Sequence, residues 1–118
     1  MTDPGDSRVW VLYIVECANG ALYTGVTLRG KAQARVTRHN NGKGAKYTAA
    51  HRPVSLVFTF DADLAWHEAL SLEVKVKRLR KAGKEEFIRG EGALADSFGE
   101  AFRPVTRKVY GERGEHSG

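Results

Sequence analysis

Val9-Trp10-Val11-Leu12-Tyr13-Ile14-Val15-Glu16-Cys17 is a run of β-branched and aromatic residues, and after Ala18-Asn19-Gly20 the chain resumes with Ala21-Leu22-Tyr23-Thr24-Gly25-Val26. Two such runs around an Asn-Gly turn signal read as a β-hairpin. The length of its loop matters, because side chains alternate between the two faces of a sheet and a one-residue slip reverses every one of them. A two-residue Asn19-Gly20 loop pairs Ala18 with Ala21 and puts Tyr13 and Tyr23 on opposite faces. A three-residue Ala18-Asn19-Gly20 loop, with Gly20 left-handed beside a bulge, pairs Cys17 with Ala21. Tyr23 then lies opposite Val15, Tyr13 opposite Gly25, and the two phenols share a face.

Working outward, Ala32, Arg35, Val36 and His39 recur at helical spacing and predict a short helix from about Lys31 to Asn40, ended by the basic glycine-rich loop Asn41-Gly42-Lys43-Gly44. Val54 to Phe60 alternates, with Val54, Leu56, Phe58 and Phe60 on one face, and predicts a third strand. Asp63 is a candidate N-cap for a long helix to about Lys81, whose Ala65, Ala69, Leu72, Val76 and Leu79 form an apolar stripe that covers the sheet. Ala82-Gly83 breaks it, and Lys84 to Arg89 supplies one more short helix that turns Phe87 and Ile88 to the core. The order β-β-α-β-α-α predicts an α+β fold, a three-stranded antiparallel sheet flanked by helices. Residues 1–8 are expected to be a flexible segment, 9–90 the folded domain, and 91–118, rich in Gly, Ser and charge, a mobile tail.

The 118 residues, 42% of them hydrophobic, suffice for one core. Cys17 is the only cysteine, which excludes an internal disulfide and a C-x-x-C metal ribbon. No stretch approaches the roughly 20 apolar residues of a membrane span, so a soluble cytoplasmic protein is expected. Of the net charge of +5, the terminal segments 1–8 and 91–118 each carry about −1 and the middle carries about +7. A compact basic domain suits a polyanionic partner, because cations that neutralise phosphates release counterions. A solvated basic surface with no ligand is the plainer alternative.

The ordered set Val11-Leu12-Tyr13, Tyr23-Thr24-Gly25, Arg35-x-x-x-His39 and Glu73 resembles the GIY-YIG endonuclease superfamily over roughly residues 9 to 90. It is most similar to the small stand-alone bacterial members, through Leu22 to Gly25, the stretch His39 to Thr48, and Glu68-Ala69-Leu70-Ser71-Leu72-Glu73. Val11 and Leu12 depart from the Gly and Ile of the first tripeptide. Two further residues around Gly30 lengthen the connection from Gly25 to Arg35.

The resemblance implies a metal-dependent endonuclease with one Mg²⁺ or Mn²⁺ ion, and the side chains suit the chemistry. Hydrolysis of a phosphodiester needs a deprotonated water and stabilised phosphoryl oxygens. Arg35 can grip two phosphate oxygens in a fork; otherwise it is an ordinary surface arginine. His39 shares its helix face and can orient a tyrosine or a phosphate, or simply pack. Glu73 is the expected metal ligand, since Mg²⁺ accepts one or two protein carboxylates and completes its shell with water and substrate. An i, i+4 ion pair with Lys77 is its structural alternative. Tyr13 is the favoured general base, assisted by Tyr23; a phenol with a pKa near ~10 needs a neighbouring cation for that role. Lys43, Lys46 and Tyr47 in the glycine-rich loop, with Lys75, Lys77 and Arg78 on the long helix, are candidate nucleic-acid contacts. His51, His67 and His116 have no ligand-like spacing. The expected substrate is DNA, in repair or in the processing of branched or single-stranded forms; a non-catalytic nucleic-acid-binding module and an inactive protein-interaction adaptor are the competing readings.

Overall fold

The computed structural model describes residues 8–102 and 104–106. All but Arg8 of the segment 1–8, and residues 107–118 of the expected tail, lie outside that range. Strands β1 (Trp10–Glu16) and β2 (Leu22–Leu28) form the hairpin; α1 (Ala32–Asn40) and a one-turn α2 (Lys46–Ala50) lead to β3 (Ser55–Leu64). Helices α3 (Trp66–Lys77), α4 (Lys81–Ile88) and α5 (Gly92–Asp96) follow, then a 3-10 turn over Gly99–Ala101 and a short β4 (Pro104–Thr106). The sheet order is β2-β1-β3-β4, antiparallel throughout. The expected three-stranded antiparallel sheet is thus present, and β4 adds a fourth strand to its β3 edge.

The hairpin takes the three-residue loop. Gly20 adopts φ 85°, the Cys17 N–H donates to the Ala21 carbonyl at 2.8 Å, and Asn19 Oδ1 accepts from the Ala21 N–H at 3.1 Å. Tyr13 therefore faces Gly25 and Val15 faces Tyr23. At the open end the connection around Gly30 closes in a β-turn in which Lys31 N–H donates to Leu28 C=O and Gly30 is left-handed at φ 85°.

Three sequence expectations are corrected. The single apolar face of the third strand does not exist: the β1–β3 register shifts between Ile14 and Val15, so Val54 and Leu56 pack with α1 while Val57, Phe58 and Phe60 join the cluster under α3. A bulge re-aims the strand by its extra residue. Asp63 is no helix cap; it lies within β3 at φ 55° and its carboxylate, with that of Asp61, binds the Arg29 guanidinium. Helix α3 begins after Ala65, whose N–H is taken by the Glu68 carboxylate at 2.8 Å. Finally, the break between the last two expected helices falls at Arg78–Arg80. Gly83 sits inside α4, where a Cβ would come within 3.2 Å of Leu79 Cβ, so it lets α4 pack closely on the turn that precedes it rather than ending a helix.

The main core joins Leu12, Ile14, Phe58 and Phe60 of the sheet to Ala69, Leu72 and Val76 of α3 and to Phe87 and Ile88 of α4. Each such large side chain is worth about 1.5–3 kcal/mol on full burial. Within 91–102, the part of the expected tail that the structure describes, Ala95 is buried, and Phe98 and Phe102 pack on the Phe60 ring at 4.8 and 4.9 Å. A smaller cluster under α1 holds Tyr13, Val15, Cys17, Ala32, Val36, Val54 and Leu56. Among the described residues no helix is long and apolar enough to cross a membrane.

Candidate active site

Alternation along β1 turns Tyr13 toward α1, and the i, i+4 spacing of Arg35 and His39 aligns both on that helix. The Tyr13 hydroxyl lies 3.1 Å from His39 Nε2. His39 Nδ1 lies 2.8 Å from Thr48 Oγ1, and Thr48 gives its only hydroxyl proton to the Ala45 carbonyl at 2.9 Å. Thr48 Oγ1 must therefore accept, which places the imidazole proton on Nδ1 and leaves Nε2 as an acceptor for the Tyr13 O–H. Two glycines make room for this arrangement. A Cβ on Gly25 would stand 2.5 Å from Tyr13 Cζ and Oη, and one on Gly44 would stand 2.2 Å from His39 Nδ1.

Tyr23 meets the edge of His39, with ring centroids 5.5 Å apart at 68°. Glu73 pairs with Lys77 at 3.3 Å, the carboxylate only 18% exposed, and the Lys77 ammonium stands 5.8 Å from the Tyr23 ring centre. Arg35 is exposed, anchored by Nε–H to Thr27 Oγ1 at a long 3.4 Å, so most of its donors remain open to a ligand. Tyr13, Tyr23, Arg35 and His39 thus gather on one face of the hairpin, and Glu73, on α3, is linked to them through Lys77 beside the Tyr23 ring.

Their charges interact. Burial first, then the neighbouring Tyr23, pushes the Tyr13 phenol up to about 12; Arg35 opposes that rise and Glu73 adds to it. His39 is held below its ordinary 6.5 by burial, then by Arg35 and Arg38. The histidine is consequently neutral near pH 7 with a free Nε2 lone pair, while the phenol keeps its proton and shares it with that nitrogen.

Among the described residues there is no group of three or more His, Cys, Asp and Glu able to hold a metal. Glu73 is the carboxylate whose charge reaches Tyr13. A single carboxylate held by one lysine fits a hard divalent cation that draws its other oxygens from water and a phosphate, and does not fit an all-protein cage.

The proposed nucleic-acid contacts divide. Lys43 and Lys46 are exposed beside the site. Tyr47 is 44% exposed, but its hydroxyl accepts from Asn19 Nδ2 at 2.9 Å and its ring packs on His51, so it ties the loop to the hairpin. Lys77 belongs to the cluster and Arg78 caps the end of α3 in solvent. Lys75 is not brought in: two positions from Glu73 is a turn of roughly 200° about the helix, and it lines a groove with Leu94 and Ser97. Lys84 donates to the Leu22 carbonyl at 3.1 Å, and burial, then Lys77, lowers its pKa. Thr48, Gly44 and Asn40, whose side-chain amide brackets the backbone of Val54 through both N–H and C=O, were not singled out by sequence reasoning. The signal available for all three was their place in the stretch His39 to Thr48.

Residues 9–86 match the family described as the GIY-YIG catalytic domain. Similar proteins include a UPF0213 protein of Pediococcus pentosaceus, 40% identical over 80 residues, covering 68% of this chain and 81% of that one. Another is the UPF0213 protein SERP0126 of Staphylococcus epidermidis, 44% identical over 77 residues, covering 65% and 90%. The solution NMR structure of a UPF0213 protein from Bacillus halodurans is 33% identical and covers 77% of this chain and 96% of its own, with a TM-score of 0.44.

Proposed function

The chain belongs to the GIY-YIG family of nuclease domains, and from that membership we propose that it is a divalent-metal-dependent endonuclease hydrolysing phosphodiester bonds in DNA. The observation that carries this reading is the hydrogen bond from the Tyr13 hydroxyl to a neutral His39 Nε2. With a pKa of about 12, Tyr13 is ionised to only about one part in 10⁵ at pH 7 and is a poor base by itself. Tyr13 can nevertheless take a proton from the attacking water while passing its own to Nε2, so that no phenolate accumulates. Arg35, with open donors at the rim, holds the phosphoryl oxygens and meets the charge that grows on them. Tyr23 packs against the imidazole edge and keeps it aligned. Glu73 would hold Mg²⁺ or Mn²⁺, on which nucleases of this family generally depend; when bound, the ion polarises the phosphoryl group and eases departure of the leaving oxygen.

The test is incubation with supercoiled, single-stranded and branched DNA, with Mg²⁺, Mn²⁺ or a chelator. Cutting is expected only with metal. Glu73→Gln and Arg35→Ala should each lose it, Arg35→Ala by hundreds-fold, or about 3–4 kcal/mol, while both still bind DNA at moderate salt. A wild-type protein that binds normally and cuts nothing would make this a binding module. Equal cutting by Glu73→Gln would remove the metal assignment.

A further inference from the structure

On the side of Arg35 away from the tyrosines, α1 carries a second feature. Lys31, Arg35 and Arg38 recur at i, i+4 and i+7, one face of a helix, and line a groove of about 470 Å³ together with Ala34, Thr27, Leu28 and Trp10. No carboxylate lines this groove. Among the described residues, none of the three cations has a carboxylate partner. The two acids at this end of the sheet, Asp61 and Asp63, are engaged by Arg29. Three unneutralised cations around a concavity bordered by Trp10, Leu28 and Ala34 describe a site for an anion that also carries a flat or greasy body, and the volume falls in the range of small-ligand pockets.

We propose that this groove is a nucleotide subsite, which takes the phosphate and sugar-base of the residue next to the cleaved bond. The proposal rests on the nuclease reading and adds the path of the substrate strand to it. Arg35 is shared, with the Tyr13–His39 cluster on one side and the groove on the other, so a strand whose scissile phosphate meets Arg35 delivers its neighbouring phosphate to Lys31 and Arg38. Leu28 and Trp10, whose ring also packs on Trp66, border the groove and offer their remaining surface to the sugar or base. The alternating phosphate and apolar body of a polynucleotide match that order of walls, and the contacts read no base edge, so the subsite is indifferent to sequence.

The experiment is a salt series of anisotropy titrations with a labelled single-stranded oligonucleotide in the presence of a chelator, which stops cutting. Lys31→Ala/Arg38→Ala is expected to flatten the slope of log K against log salt by about 1.4, the loss of two single-strand phosphate contacts, and to weaken low-salt affinity about tenfold. Unchanged slope and affinity in a variant that melts like wild type would overturn the groove and leave the nuclease reading standing. No binding by the wild-type protein at the lowest salt would instead remove the nuclease reading, and the groove with it. Should the double variant fail to fold, NMR titration of wild type with a deoxynucleoside 5′-monophosphate decides. Shifts centred on Leu28, Ala34 and the Trp10 indole support the subsite, and shifts confined elsewhere overturn it.

Discussion

Thr48 contributes one hydroxyl, and that hydroxyl decides which nitrogen of His39 carries the proton. Thr48→Ala leaves a buried imidazole N–H without an acceptor, an expected loss of about 1–3 kcal/mol, and frees the tautomer to reverse. Cleavage should fall in that variant and recover in Thr48→Ser, with the tautomer read directly from the ¹⁵N shifts of His39. The histidine also sets a pH dependence. Its lowered pKa means the fold favours the neutral form more than the unfolded chain does, so this contribution is present above about pH 6.5 and is lost as pH falls through the folded value. Both cleavage rate and melting temperature should decline on that acid side, the rate because Nε2 no longer accepts. Tyr13 works in the opposite sense: its raised pKa stabilises the fold below pH 10 and that share is lost between 10 and about 12. Gly25→Ala should cut activity sharply, since the new Cβ occupies the place of the phenol. At this scale the tyrosines, Arg35, His39 and Glu73 were legible as an ordered set of residue types. Thr48 and Gly44 were not assigned roles, because they act on a ring nine and five positions away through space and leave no periodic trace.

Strands and helices were legible where periodicity is strong, as in the hairpin, α1 and the stripe of α3. They were illegible where packing overrides pattern. The bulge in β3 sends Leu56 and Phe58 to different cores although they are two residues apart, and the single turn α2, just after the glycine-rich loop, is too short to show a period and is tied in by the Thr48 contact with His39. The segment after Gly90 shows little periodicity, yet Phe98 and Phe102 complete an aromatic cluster with Phe60 and Phe87. Phe102 is half-buried, so Phe102→Ala should cost less than a fully buried phenylalanine, about 2 kcal/mol. Chemical denaturation measures it, and DNA cutting per folded molecule should be unchanged, since the cluster lies on the sheet face opposite Tyr13. No loss of stability would mean that the C-terminal segment does not dock in solution.

Across the whole molecule the sheet separates two jobs: one face carries most of the apolar core, the other the tyrosine-histidine cluster and the cationic groove. With the basic excess concentrated between residues 9 and 90, DNA affinity should fall steeply with salt for all sequences alike, and Lys43→Ala/Lys46→Ala should make the fall shallower. Affinity insensitive to salt would contradict this. The division between faces depends on the loop Ala18-Asn19-Gly20, whose Asn-Gly pair could also make a two-residue turn. In that register Tyr23 would leave the site, but Leu22 and Val26 would turn away from the core and Thr27 into it. The hairpin is therefore error-correcting: a molecule that puts Tyr13 and Tyr23 on opposite faces also exposes its apolar residues, and is removed as a folding failure rather than persisting as a well-formed molecule with a scrambled site.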